Sequence, residues 1–311
     1  MGKIIFNEFN ILKGIGIFLV ILGHAGSVNG NIINVIFSFH MPLFFFISGF
    51  FFKETTLKDF LVKKGKRILI PYALFSFLSF LIYFIPNYNN SKFNFFDFFY
   101  GTFLGVSDGF YLSWNIVLWF LPALFLLNFI YLLLIKMRFL IIAFVIVGLY
   151  FSNDETKILP FHLISVLLSL PFFILGNYFK QYYLIVGNYF KNWMFIPLSI
   201  IGIYLVSLNV LKPDLRVNLI GNPFIFYSAS LLLILASLFL SRLLQKNKIL
   251  QWLGENSLLI MCLHLKFLFI ARFILLKFGV DNGFLTSLIL IPILYFPIIL
   301  IKKYLPILEG K

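Results

Sequence analysis

Residues 10–24 read NILKGIGIFLVILGH, an apolar run broken by Lys13 and ended by His24. Ionisable side chains are costly at membrane depth, so their presence in a spanning helix marks a functional candidate. The two lie eleven residues apart, which at 3.6 residues per turn gives nearly the same azimuth and ~16 Å along the axis. Imidazole is the natural base near neutral pH, so one helix face carries a base and a cation. The bland reading of His24 is a ring hydrogen-bonded to a neighbouring helix. Gly14 and Gly16, which permit close helix packing, and the small residues Ala25, Gly26 and Ser27 favour a reachable site instead.

The rest of the chain has the same character. Of 311 residues, 61% are hydrophobic, 20% aromatic and only 12% charged, with a mean hydropathy of +1.01. Too little polar surface exists to cover a soluble globule. The apolar runs have the length of bilayer-spanning helices, and no alternating pattern points to an outer-membrane barrel. The expected fold is all-α, a polytopic bundle of about ten transmembrane helices at 9–25, 32–52, 68–85, 116–135, 139–151, 158–179, 194–209, 223–241, 257–276 and 285–301. The segment MGKIIFNEFN has no basic region followed by a cleavage site, so the first span is expected to be permanent. One integral-membrane domain over 1–311, its core about 9–301, is expected to carry the function, with no separate soluble domain. Cys262 is the single cysteine and rules out an internal disulfide.

Charge sets the orientation. With a cytoplasmic N-terminus, 17 of the 25 basic residues fall in cytoplasmic segments, five fall in the opposite loops and three lie within spans. The acids divide five to six, so the bias belongs to Lys and Arg, as the positive-inside rule requires. Both termini are expected in the cytoplasm. The net charge of +14 thus reflects topology, not nucleic-acid binding. The longest loop, 86–115, is rich in Phe, Asn and Tyr and is expected on the outer interface.

Four further segments carry candidate chemistry. The second span, FHMPLFFFISGFFF at 39–52, holds His40, Pro42 and Ser48. Proline there frees a backbone carbonyl and often kinks the helix beside a cavity, although a packing kink with a satisfied His40 explains it as simply. Counted from the turn, His40 lies deeper than His24, so the rings meet only if the turn dips into the membrane. The segment KETTLKDFLVKKGKRILIPY at 53–72 reads as a cytoplasmic loop with six basic residues. Lys64, Lys66 and Arg67 suit a phosphate-bearing ligand, or else serve as topogenic charge facing lipid headgroups. LWFLPALF at 118–125 contains Trp119, an interfacial anchor in its plainer reading. GENSLLIMCLH at 254–264 places Asn256 at a helix start, where it suits a cap, and His264 within a span. His162 receives no function.

Taken in order, these segments resemble the acyltransferase-3 family of membrane O-acyltransferases, and in particular members like fucose 4-O-acetylase. Lys13 and His24 match a basic residue, ten residues, then histidine. FHMPLFFFISGF matches the family's second-span signature, Lys64 and Arg67 its spaced basic pair, and LWFLPALF and the NSL…H segment follow in place. Asn10 departs from a common Asp and removes a charge that would pair with Lys13. Lys64 stands for a common Arg and loses the bidentate fork. The additional C-terminal extracytoplasmic hydrolase-like domain of some members is not expected here.

The resemblance implies an acyltransferase of the plasma membrane that moves an acyl group, expected to be acetyl, from cytoplasmic acetyl-CoA to a hydroxyl of a cell-surface or lipid-linked glycan. His24 and His40 would be catalytic, and Lys13, Lys64, Lys66 and Arg67 would bind the donor. Ser48, Trp119, Asn256 and His264 are candidates for the substrate or for oxyanion stabilisation, which acyl transfer requires. No metal and no permanently bound cofactor is expected. Direct transfer and a covalent relay both stay open. The alternative reading is a transporter or flippase for a lipid-linked sugar. Such proteins often carry internal repeats with broken helices, and the sequence displays none.

Overall fold

The structure, a computed structural model, describes residues 2–87, 95–107, 113–189 and 191–311. The described chain is helical without β-strands. Its first long helices are α1 (Gly2–His24) and α2 (Gly30–Phe50), followed by α3 (Leu57–Lys64), a π-helical turn (Gly65–Leu69), α4 (Ile70–Asn87) and α5 (Phe95–Leu104). Next come α6 (Phe120–Leu134), α7 (Arg138–Tyr150), α8 (Leu163–Tyr189), α9 (Phe195–Leu208) and α10 (Pro223–Leu243). The chain ends with α11 (Lys248–Glu255), α12 (Ser257–Lys277) and α13 (Gly283–Tyr304). Among the described residues eight helical segments are long and apolar enough to cross a membrane. The expected spans at 139–151 and 194–209 are helical but belong to the shorter apolar helices. Of the loop expected at 86–115, part forms α5, while 88–94 and 108–112 lie outside the described residues.

The chain forms two compact units. Unit 1 comprises Met1–Phe52, Pro171–Leu215 and Leu219–Phe296; unit 2 comprises Lys53–Leu170, Arg216–Asn218 and Pro297–Lys311.

Unit 1 is assembled by backbone-to-backbone approach. A side chain at Gly14 would collide with the Leu250 carbonyl, and one at Gly254 with the Asn10 carbonyl, so α1 and α11 meet without side chains between them. The same device joins α2 to α8, where Gly49 faces the Phe173 backbone and Gly176 faces that of Phe46. Pro42 leaves the Ser38 carbonyl without its helical donor, and the Ser230 hydroxyl of α10 reaches that carbonyl at 2.6 Å. The freed carbonyl expected from the sequence therefore ties α2 to α10.

In unit 2, the segment 53–72 is loop only over 53–56; it is helical from Leu57, and the helix expected from Ile68 is present. Thr56 caps α3 by accepting from the Asp59 amide at 3.2 Å, with Asp59 in the first turn and Lys63 and Lys64 in the last, as the helix dipole favours. Those capping and dipole terms outweighed the charge density that suggested a loop. Helix continues into α4 through the π turn, closed by the Ile70 amide to the Gly65 carbonyl. Proline clashes with the carbonyl four residues before it, here Arg67, and the wider turn precedes Pro71 at that place. The Arg67 backbone is covered by Gly310, where a side chain would have no room. The Tyr72 hydroxyl donates to the Thr102 carbonyl at 2.8 Å and ties α4 to α5.

Candidate active site

Two consecutive helices and a third distant in sequence bring histidines together in unit 1. His24 ends α1, His40 lies midway along α2 and His264 lies in α12. The rings of His24 and His264 stand edge to face at 5.3 Å between centroids. Phe37, one turn before His40, packs against His24 at 5.9 Å and His40 at 5.0 Å. His40 and His264 are buried, at 4% and 0% exposure, while His24 is half-buried. The two imidazoles of α1 and α2 thus share an aromatic neighbour across a short turn. Gly23 permits this arrangement, because a side chain there would press on Phe37 and Ile36.

The three rings are held in the same way. Nδ1 of His24 lies 2.8 Å from the Val20 carbonyl, and that of His40 lies 2.7 Å from the Ile36 carbonyl. His264 Nδ1 lies 3.0 Å from the Ile260 and 2.9 Å from the Met261 carbonyl. A carbonyl only accepts, so Nδ1 carries the proton in each case, and in the neutral ring the lone pair stands on Nε2. This is the tautomer a base needs, and its orientation is set by each helix's own backbone. It also changes the expectation for oxyanion candidates: neutral His40 and His264 have no N–H left to donate. Nε2 of His264 is buried and has no hydrogen-bond partner among the described residues. A buried acceptor left unpaired costs roughly 1–3 kcal/mol. Among the described residues, no group of three or more His, Cys, Asp or Glu side chains is placed to hold a metal ion.

Within unit 1, Lys13, Ser48 and Asn256 lie along their helices away from this cluster. Lys13 is on the face of α1 that carries His24, about three turns away, with its ammonium 5.9 Å from the centre of the Phe6 ring. Ser48 lies eight residues beyond His40, ~12 Å along α2. Asn256 is buried between α11 and α12, where its amide donates to the Trp252 carbonyl at 2.6 Å. Since Gly254 abuts Asn10 and Gly14, this corner lies near the Lys13 level of α1.

Sequence reasoning overlooked one ion pair. Glu8 and Arg242 meet at 3.5 Å with side chains only 10% and 8% exposed. Gln245 donates to Glu8 at 2.6 Å, and the guanidinium lies over the Tyr183 ring at 4.8 Å. The acid of α1 is Glu8, and it is paired with α10. Both ionisable residues were visible at span ends, but 234 positions separate them.

Unit 2 holds the remaining candidates. Lys64 is half-buried, whereas Lys66 and Arg67 are exposed on the π turn. Trp119 is no exposed interfacial anchor; it is 5% exposed, with its ring 4.9 Å from that of His162. His162 uses both nitrogens: Nε2 accepts from the Ser107 amide at 3.1 Å, and Nδ1 lies 2.9 Å from the Arg216 carbonyl. Arg216 donates in turn to the Ser107 carbonyl at 3.3 Å.

No curated protein and no solved structure matches this chain. A family model described as "Acyltransferase domain" matches residues 6–302. That match includes the whole histidine cluster. It makes the chain a multi-pass membrane transferase that acts on acyl groups and requires an acyl donor and an acceptor. The protein belongs to the acyltransferase-3 family.

Proposed function

We propose that the protein is a plasma-membrane O-acetyltransferase that moves acetyl from cytoplasmic acetyl-CoA to a hydroxyl of a cell-surface or lipid-linked glycan. The observation that carries this reading is the His24 ring, held by the Val20 carbonyl in the tautomer that places a lone pair on Nε2. His24 Nε2 takes the proton of the acceptor hydroxyl as its oxygen attacks the thioester carbonyl carbon. The C–S bond breaks, and the coenzyme A thiolate leaves with the proton returned by the imidazolium. General-base help of this kind contributes about 10²- to 10⁴-fold. His40, held like His24 and sharing Phe37 with it, is the second histidine of the acceptor side.

Lys64, Lys66 and Arg67 of unit 2 are assigned to the donor's phosphates, and Lys13 is the donor-directed cation of unit 1. Ser48, Trp119 and Asn256 stay as substrate or oxyanion candidates. Both termini face the cytoplasm in this reading, as the distribution of Lys and Arg requires.

The test is incubation of purified protein with acetyl-CoA and a panel of glycan acceptors. Acceptor-dependent release of free coenzyme A, with acetyl found on the sugar by mass spectrometry, is the expected result. Movement of lipid-linked sugar across a vesicle membrane without release of coenzyme A would replace this reading with transport.

A further inference from the structure

Resting on the acyl-transfer reading, the buried ring beside the base identifies a feature of the acceptor. We propose that His264 is a specificity residue. Its Nε2 accepts a hydrogen bond from a second hydroxyl of the acceptor, next to the one His24 deprotonates, so the enzyme selects acceptors bearing two neighbouring hydroxyls.

Three observations support this. First, Nδ1 of His264 is committed to the Ile260 and Met261 carbonyls, so its other nitrogen offers only a lone pair. Carbonyl, carboxylate and phosphate groups have no proton to give it. Second, that nitrogen is buried and has no donor among the described residues. Buried polar groups are nearly always paired, and the place of this one beside the His24 ring assigns its donor to the acceptor. Leu259, Ile260 and Leu263 of the same helix are buried too, and a buried setting penalises a charged donor such as an ammonium more than a hydroxyl. Third, the His264 ring is 5.3 Å from that of His24. A hydroxyl oxygen sits about 2.8 Å from the atom that accepts its proton. Two rings this close suit two oxygens on adjoining carbons, not oxygens at opposite ends of a long molecule.

The experiment uses the full chain in detergent with acetyl-CoA. The acceptor is whichever methyl glycoside the parent acetylates fastest, paired with the monodeoxy derivative that lacks the hydroxyl beside the acetylated one. The parent should prefer the intact sugar by about tenfold or more in kcat/KM, the scale of one hydrogen bond to a buried, otherwise unpaired group. His264→Leu removes the acceptor atom and should bring that preference to about unity. His264→Gln keeps a side-chain acceptor and should retain part of the preference. Equal kcat/KM of the parent on both sugars, or an unchanged preference in His264→Leu, overturns the proposal. If His264→Leu does not fold, the parent's comparison of the two sugars decides by itself. Failure of the reading beneath it looks different: no acceptor-dependent release of coenzyme A from any glycoside would remove both together.

Discussion

Two regions of this molecule bury histidines, and they do so in opposite ways. In unit 2, His162 spends both ring nitrogens within the chain, closing a loop of Ser107, His162 and Arg216. Its backbone takes a left-handed conformation, with φ of 51°, and Trp119 packs on the ring. In unit 1, each of three histidines is held through Nδ1 by its own helix, with the lone pair on Nε2. A histidine with both nitrogens engaged is a fastener. One whose Nδ1 is fixed by its own helix presents an Nε2 lone pair in a set direction, the condition for a base. The nitrogen that faces away from the backbone thus distinguishes the two roles where burial does not.

The strongest way to break this comparison is His24→Ala. Acetyl transfer should fall about 10²-fold or more while thermal unfolding stays close to the parent's. Parent-level turnover would end the assignment of His24 as base. The matching change in unit 2, His162→Ala, should do the reverse. It strands the Ser107 amide and the Arg216 carbonyl, a loss of roughly 2–3 kcal/mol in denaturant unfolding, while turnover per folded molecule stays level. A large loss of turnover with full stability would make His162 more than a fastener.

A smaller effect is expected at Arg67, whose exposure tempers the strength of any contact it makes. Arg67→Gln should weaken acetyl-CoA binding about tenfold in a titration of purified protein. A tag-accessibility assay should find orientation unchanged, because the other basic residues persist. Equal donor affinity returns Arg67 to a topogenic role. The smallest effect belongs to Asp281. Hydrogen bonds from Ser27 and Arg272 hold its carboxyl below the usual range. Its contribution is present above the ordinary carboxylate value of 3.8 and is lost as pH falls through the lower folded value. Asp281→Asn should therefore be slightly less stable than the parent at neutral pH, with the difference closing in strong acid. A gap that widens in acid would contradict the sign.

Much of this was legible in the chain itself. Long apolar runs announce spanning helices because no other arrangement satisfies so much backbone in lipid, and His24, His40 and His264 stood out as ionisable groups within such runs. Their meeting was not legible: His24 and His264 are 240 positions apart, and periodicity reports which face a residue occupies, not which helix lies opposite. The same limit hid Glu8 and Arg242. Residues 53–72 failed for another reason, since six positive charges masked a capped helix whose signal, Thr56 followed by Asp59, was present in the letters. Gly14 was read as a packing residue, and it is one, with the Leu250 carbonyl against it. The tautomers lay beyond any sequence reading, because they depend on rotamers.

The π turn at Gly65–Leu69 has a phase consequence. Such a turn holds one residue more than an α-helical turn, and each helical residue advances azimuth by ~100°. Everything on α3 is therefore rotated by about that angle relative to α4, compared with an uninterrupted helix. Lys63 and Lys64 point where they do because of one inserted position upstream of Pro71. A single-residue deletion within 65–69 would swing that end of the basic run by more than a quarter turn without altering its charge.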